Sequence, residues 1–114
     1  MSYEDKLKEL QGNGKAFGQA LSAEMKGFGE MHDAALEDKA LDPKTKELIA
    51  LGISVAVRCE PCIVAHTSAL IKMGVKREEI AETLGVALFM GGGPSTMYGG
   101  KALACYDELV EKLK

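Results

Sequence analysis

The chain is predicted to fold as an all-α protein, a compact bundle of about six helices in a single domain over residues 1–114. Three observations predict this. Apolar residues recur at three-to-four spacing along most of the sequence, the signature of a helix with one buried face. Strand-like alternation is rare, and the only β-branched cluster, Ile53 to Val57, continues a helical pattern. Start and stop signals such as Asp42-Pro43, Gly74 and Gly91-Gly92-Gly93-Pro94 cut the sequence into helix-sized pieces. Hydrophobic residues make up 46% of the 114, enough for a core.

The elements follow in order. Residues 3–11 form a short charged helix, which Gly12 and Gly14 are expected to break. A longer helix then carries Phe17, Leu21, Met25, Phe28 and Met31 as its apolar stripe. The third helix starts at Asp42, a good N-cap, and Pro43, which suits the first helical position. It runs to about Arg58 and is apolar on nearly every side, so it is expected to be buried in the core or in a subunit interface. The fourth helix starts near Pro61 and stops before Gly74. The fifth runs from about Arg77 to Met90, with Lys76-Arg77-Glu78-Glu79 as a solvated first turn. After the Gly-rich bend the last helix carries Met97, Leu103, Leu109 and Val110, and Cys105 is expected to be packing.

Bulk properties exclude several function classes. A net charge of −3 argues against general attraction to nucleic acid or anionic membrane. The start, Met1-Ser2-Tyr3-Glu4-Asp5-Lys6, is not the basic-then-apolar pattern of a secretory signal. The longest apolar run, Leu48 to Val57, is about half of the ~20 residues that span a bilayer. A soluble, cytoplasmic protein is expected. An odd count of three cysteines, with one close pair, does not match a secreted disulfide framework.

The chemistry concentrates in Cys59-Glu60-Pro61-Cys62-Ile63-Val64-Ala65-His66. Proline disfavours helical geometry in the residue before it, so the helix should begin around Glu60 or Pro61. Cys62 then lies in the first turn and Cys59 at its threshold. Free N–H groups at a helix start favour a thiolate, so at least one thiol is expected to be more acidic than usual. His66 is four residues beyond Cys62, on the same helical face, where an imidazole can take a thiol proton or stabilise the anion. Cys62 is therefore the better-placed nucleophile and Cys59 the resolving thiol. Glu47, a carboxylate early in a very apolar helix, needs a partner. It could orient His66 or relay its proton, or simply favour the helix dipole. His32 is expected to be exposed or structural.

Glu47, eleven residues, Cys59-x-x-Cys62, three residues and His66 resemble the signature of the AhpD-like (alkylhydroperoxidase D) proteins of the carboxymuconolactone decarboxylase superfamily. Lys44-Thr45-Lys46-Glu47-Leu48-Ile49-Ala50-Leu51 before the pair and Gly91 to Tyr98 after it are similar too. The resemblance covers roughly Phe17 to Leu109, placing the domain core at about 17–110. It implies an all-α fold, a homotrimer or homohexamer, and thiol-dependent peroxide reduction or disulfide exchange. It implies Cys62 as the attacking thiol, Cys59 as the resolving thiol, and Glu47 and His66 as a proton relay. Pro61 stands where the best-studied members carry a further relay histidine. A peroxide or disulfide is the expected substrate, and an external dithiol or protein the expected reductant. No organic cofactor or metal is needed.

Two alternatives come from other classes. One is lactone decarboxylation, which does not depend on a cysteine pair. The other is a non-enzymatic helical module with zinc on Cys59, Cys62 and His66. Structural zinc normally takes four ligands, and neither Cys105 nor His32 belongs to a second spaced pair.

Overall fold

A computed structural model describes residues 1–114. It contains six helices and no strand: α1 (Tyr3–Ala20), α2 (Ser22–Ala35), α3 (Pro43–Ala56), α4 (Glu60–Lys72), α5 (Arg77–Gly91) and α6 (Pro94–Leu113). The all-α class is as expected. No helix is long and apolar enough to cross a membrane.

Local chemistry sets most helix ends. Ser2 Oγ accepts the Asp5 N–H at 3.0 Å, and both carboxylate oxygens of Glu108 accept the N–H groups of Tyr3 and Glu4. Those bonds satisfy orphan donors at the start of α1 and tie it to α6. Asp42 caps α3 through Thr45 N–H at 2.7 Å, with Pro43 at the first position as expected. Gly74 ends α4 in the left-handed region, φ 78°. Its N–H bonds Ile71 O and the next N–H, of Val75, bonds Leu70 O, a Schellman arrangement. Between α5 and α6, Gly92 supplies the positive φ of the bend, 73°, and a side chain at Gly91 would have to displace that of Ser95.

The expected break at Gly12 and Gly14 does not occur. Helix α1 runs through both, and the break falls at Leu21, whose ψ of 56° leaves the helical region. Glycine lowers helix propensity by about 1 kcal/mol without forbidding the helix. Here both ends of α1 hold: the capped start docks on the core through Leu7, and Leu21 N–H still bonds Phe17 O.

The core is one cluster built mainly from Leu51 and Val55 of α3, Ile63, Val64 and Leu70 of α4, Ile80 of α5, and Cys105 and Leu109 of α6. Helix α4 lies against α1, α3 and α6. Helix α2 touches α1 alone and buries no residue. The stripe expected on the second helix is therefore not core: Phe17, Phe28 and Met31 are exposed. The third helix is likewise only half enclosed. Glu47, Leu51, Ser54 and Val55 face inward, while Ile49, Ile53 and Val57 face out. A 14-residue helix in a bundle this small has neighbours on one side, so its second apolar face stays open within one chain.

Candidate active site at the start of helix α4

The site is assembled where α3 ends and α4 begins. Arg58 occupies the left-handed region, φ 60°, with its N–H on Val55 O. Cys59 N–H bonds Ser54 O at 3.0 Å, which completes a Schellman turn on α3. Cys59 thereby serves two helices at once, because it is also the N-cap of α4. Its Sγ accepts the Cys62 N–H at 3.2 Å. A sulfur at a helix start, facing a free N–H, is where negative charge is favoured.

Cys59 and Cys62 are joined by a disulfide, with Cα atoms 5.2 Å apart. Both residues are half-buried, so solvent reaches the bridge. The sequence expectation of a pair close enough to bridge is met. Cys59 rather than Cys62 takes the cap position, as the proline rule required.

Glu47 and His66 meet. Glu47 Oε2 lies 2.7 Å from His66 Nδ1, across the α3–α4 interface. The carboxylate is 4% exposed, whereas the imidazole is half-buried. With Nδ1–H donating to the carboxylate, the neutral tautomer leaves Nε2 free to accept a proton. Glu47 thus has the partner that its burial demands. His66 stands one helical turn beyond Cys62 on α4.

Glu60 was missed by sequence reasoning. Its carboxylate bridges Lys6 of α1 and Lys101 of α6, both at 2.7 Å. These lysines, Lys101 foremost, hold the Glu60 carboxyl below its ordinary range. The ion triad anchors the segment between the two cysteines to helices at both ends of the chain. Sequence separations of 54 and 41 residues hide these contacts from any local pattern.

The remaining candidates are separate from this site. Cys105 is fully buried in the core, and burial, with the Glu108 carboxylate adding to it, pushes its thiol up to about 12. It stays a neutral packing group, as expected. His32 is exposed and pairs only with Asp33. No three His, Cys, Asp or Glu side chains converge as a metal-binding group would require, so the zinc alternative finds no ligand cluster.

The model of the carboxymuconolactone decarboxylase family matches residues 23–104, which include every residue of the pair, the histidine and the glutamate. The chain belongs to the carboxymuconolactone decarboxylase family. A family protein of Legionella pneumophila, solved in its apo form, is 42% identical, with a TM-score of 0.92 over 95% of this chain and 96% of that one. Another, from Thermotoga maritima, is 30% identical, with a TM-score of 0.81 over 90% and 91% of the two chains. An antioxidative response is the suggested involvement of that protein. An uncharacterised protein of Cupriavidus necator is 40% identical over 91% of this chain and 92% of its own. The family membership agrees with the AhpD-like resemblance read from the motif.

Proposed function

We propose that this family member is a thiol-dependent oxidoreductase that reduces a peroxide, or exchanges a disulfide, through Cys59 and Cys62. The observation that carries the reading is the half-buried Cys59–Cys62 bridge at a helix start, one turn from an imidazole held on a buried carboxylate.

The reduced enzyme starts with both thiols free. His66 Nε2 accepts the Cys62 proton, and Glu47 stabilises the imidazolium that results. The Cys62 thiolate attacks one peroxide oxygen and the O–O bond breaks. The leaving alkoxide takes the proton from His66 and departs as an alcohol. Cys62 is now a sulfenic acid. The Cys59 thiolate attacks that sulfur, an S–S bond forms, and hydroxide leaves as water with the proton that Cys59 gave up. Two electrons have passed to the peroxide. An external dithiol, small or protein-borne, returns both thiols by exchange and leaves as its own disulfide. A disulfide substrate would enter at the same Cys62 attack.

Steady-state peroxide reduction by the pre-reduced protein with excess lipoamide-type dithiol tests this. Cys62→Ser should abolish turnover, and Glu47→Gln should lower it about 10²-fold, the lower end of what a positioned base contributes. Cys62→Ser turning over at the wild-type rate would overturn the assignment. The lactone that names the family is assayed alongside. Its decarboxylation, undiminished in the Cys62 variant, would move the protein to the other branch.

A further inference from the structure

The turn that carries the cysteine pair is held by three charges that the chemistry above does not use. Glu60 stands between the cysteines in sequence, at the first position of α4. Lys6 Nζ of α1 and Lys101 Nζ of α6 each take one of its carboxylate oxygens, both at 2.7 Å. Lys6 Nζ also lies 4.8 Å over the Tyr3 ring, which holds it from a second side. The count is uneven: two cations face one carboxylate, so the group carries one net positive charge. A glutamate alone at this position would oppose a thiolate beside it, and the two lysines reverse that sign.

This charge matters because only one redox state of the pair can ionise. The Cys59–Cys62 bridge is neutral. Once it is reduced, a thiolate can form, and the start of α4 favours it. A fixed positive charge nearby stabilises the reduced pair and leaves the energy of the bridge unchanged. Glu60 follows Cys59 directly, which brings the three charges within roughly 10 Å of the sulfurs. At 28%, 28% and 40% exposure, Lys6, Glu60 and Lys101 are only partly screened by solvent. Their influence extends to sulfur on another helix: at Cys105, where burial dominates, Lys6 favours the thiolate and Glu60 opposes it. The other charged groups around the turn are Arg58 before it, Glu9 beside Lys6, and the Glu47–His66 pair between α3 and α4.

We propose that the Lys6–Glu60–Lys101 triad sets the redox balance of the Cys59–Cys62 pair, favouring the reduced, thiolate-bearing state through its net positive charge. This rests on one part of the functional reading, that the pair cycles. The three residues act through the cysteines and touch no reacting atom, so they are positioning residues. With glutathione as the probe, two glutathione thiols reduce the bridge to two protein thiols and leave as one glutathione disulfide, a transfer of two electrons. The triad tilts that exchange toward the protein dithiol wherever the reduced pair is ionised.

The test counts charge. Lys101→Met removes one positive charge and Glu60→Gln removes the negative one. The double variant restores the wild-type net charge without the triad. Equilibrium with glutathione is measured at about pH 8.5, the ordinary thiol value, and thiolate formation is followed by ultraviolet absorbance of the reduced protein. Lys101→Met should move the equilibrium about threefold toward the bridge, the effect of one charge about 10 Å away at an effective dielectric constant of about 50. It should also raise the pH at which the thiolate appears. Glu60→Gln should move both readouts the opposite way, and the double variant should lie near wild type. Lys101→Arg, which keeps the charge, should match wild type. Loss of a merely structural clamp would move all the charge-removing variants the same way, the double variant furthest. That pattern, or no shift in any variant, would overturn the proposal. If Glu60→Gln loses its helical circular dichroism, Lys6→Met combined with Lys101→Met decides, with about ninefold expected and no shift overturning the proposal. Neither readout is turnover. Charge-ordered shifts in a protein that leaves peroxide and disulfide substrates unreduced would sink the functional reading and keep this inference, and turnover without such shifts would do the reverse.

Discussion

Two lysines from opposite ends of the chain converge on Glu60, the residue that follows the first cysteine. Lys101 and Lys6 lower its carboxyl pKa below the ordinary 4.5. The sign of the consequence is fixed. A group whose folded pKa is depressed contributes stability that is fully present above its unfolded value and is lost as pH falls through the folded one. Glu79, held by Lys44, and Asp107, held by Arg77, act in the same direction. Stability should therefore be level near neutrality and decline below about pH 4.5. Glu60→Gln should lower the urea midpoint near neutrality and make the acid decline shallower. Midpoints measured from about pH 3 to 7 check this. A variant curve parallel to wild type would mean that the triad is not coupled to folding. At this scale the sequence exposed the sulfurs and the histidine, since a helix places i and i+4 together. It could name Glu47 as a carboxylate in need of a partner, but the 2.7 Å contact with His66 spans 19 residues and belongs to packing.

Helices α3 and α4 both end in the same turn, yet they use different residues in its left-handed position. Gly74 adopts φ 78° without steric cost, whereas Arg58 adopts φ 60° against the preference of any residue with a Cβ. Gly74→Ala should therefore cost about 1 kcal/mol or more. Arg58→Gly should stabilise slightly, by less than about 1 kcal/mol, because relief of the Cβ clash is partly offset by the larger unfolded-state entropy of glycine. Urea unfolding of the two variants measures the contrast, and destabilisation by Arg58→Gly would show that the arginine side chain itself secures the turn. The starts of α3, α4 and α6 and the ends of α4 and α5 were legible because they are written in caps, prolines and glycines. The α1–α2 break was not. Gly12 and Gly14 are weak helix formers in a segment whose ends are held by other contacts, and Leu21 bears no local mark of a break.

The disulfide closes a loop of only a few residues between half-buried cysteines. For so short a loop the chain-entropy model gives about 2 kcal/mol. Reduction by excess dithiol should thus leave far-UV circular dichroism unchanged and lower Tm by less than about 10 °C. Collapse of helicity on reduction would mean that the bridge holds the fold, which would not suit a pair that must cycle between two states. The hydrophobic effect acting on α3, α4, α5 and α6 is what holds the molecule together. The same effect leaves a surplus of apolar surface on α2 and along the α3–α5 groove.

From its sequence alone this protein was determined to be helical, to start its fourth helix at a cysteine pair, and to carry an imidazole one turn later. All three rest on interactions within a few residues, where backbone geometry dictates the neighbours. Only the tertiary structure decided that Glu47 meets His66, that Glu60 is clamped by both ends of the chain, and that half of the apolar third helix faces outward. Each of those depends on which helices touch, and hydrophobicity records only that a side chain avoids water. It does not record which surface, in this chain or in a second copy, removes it.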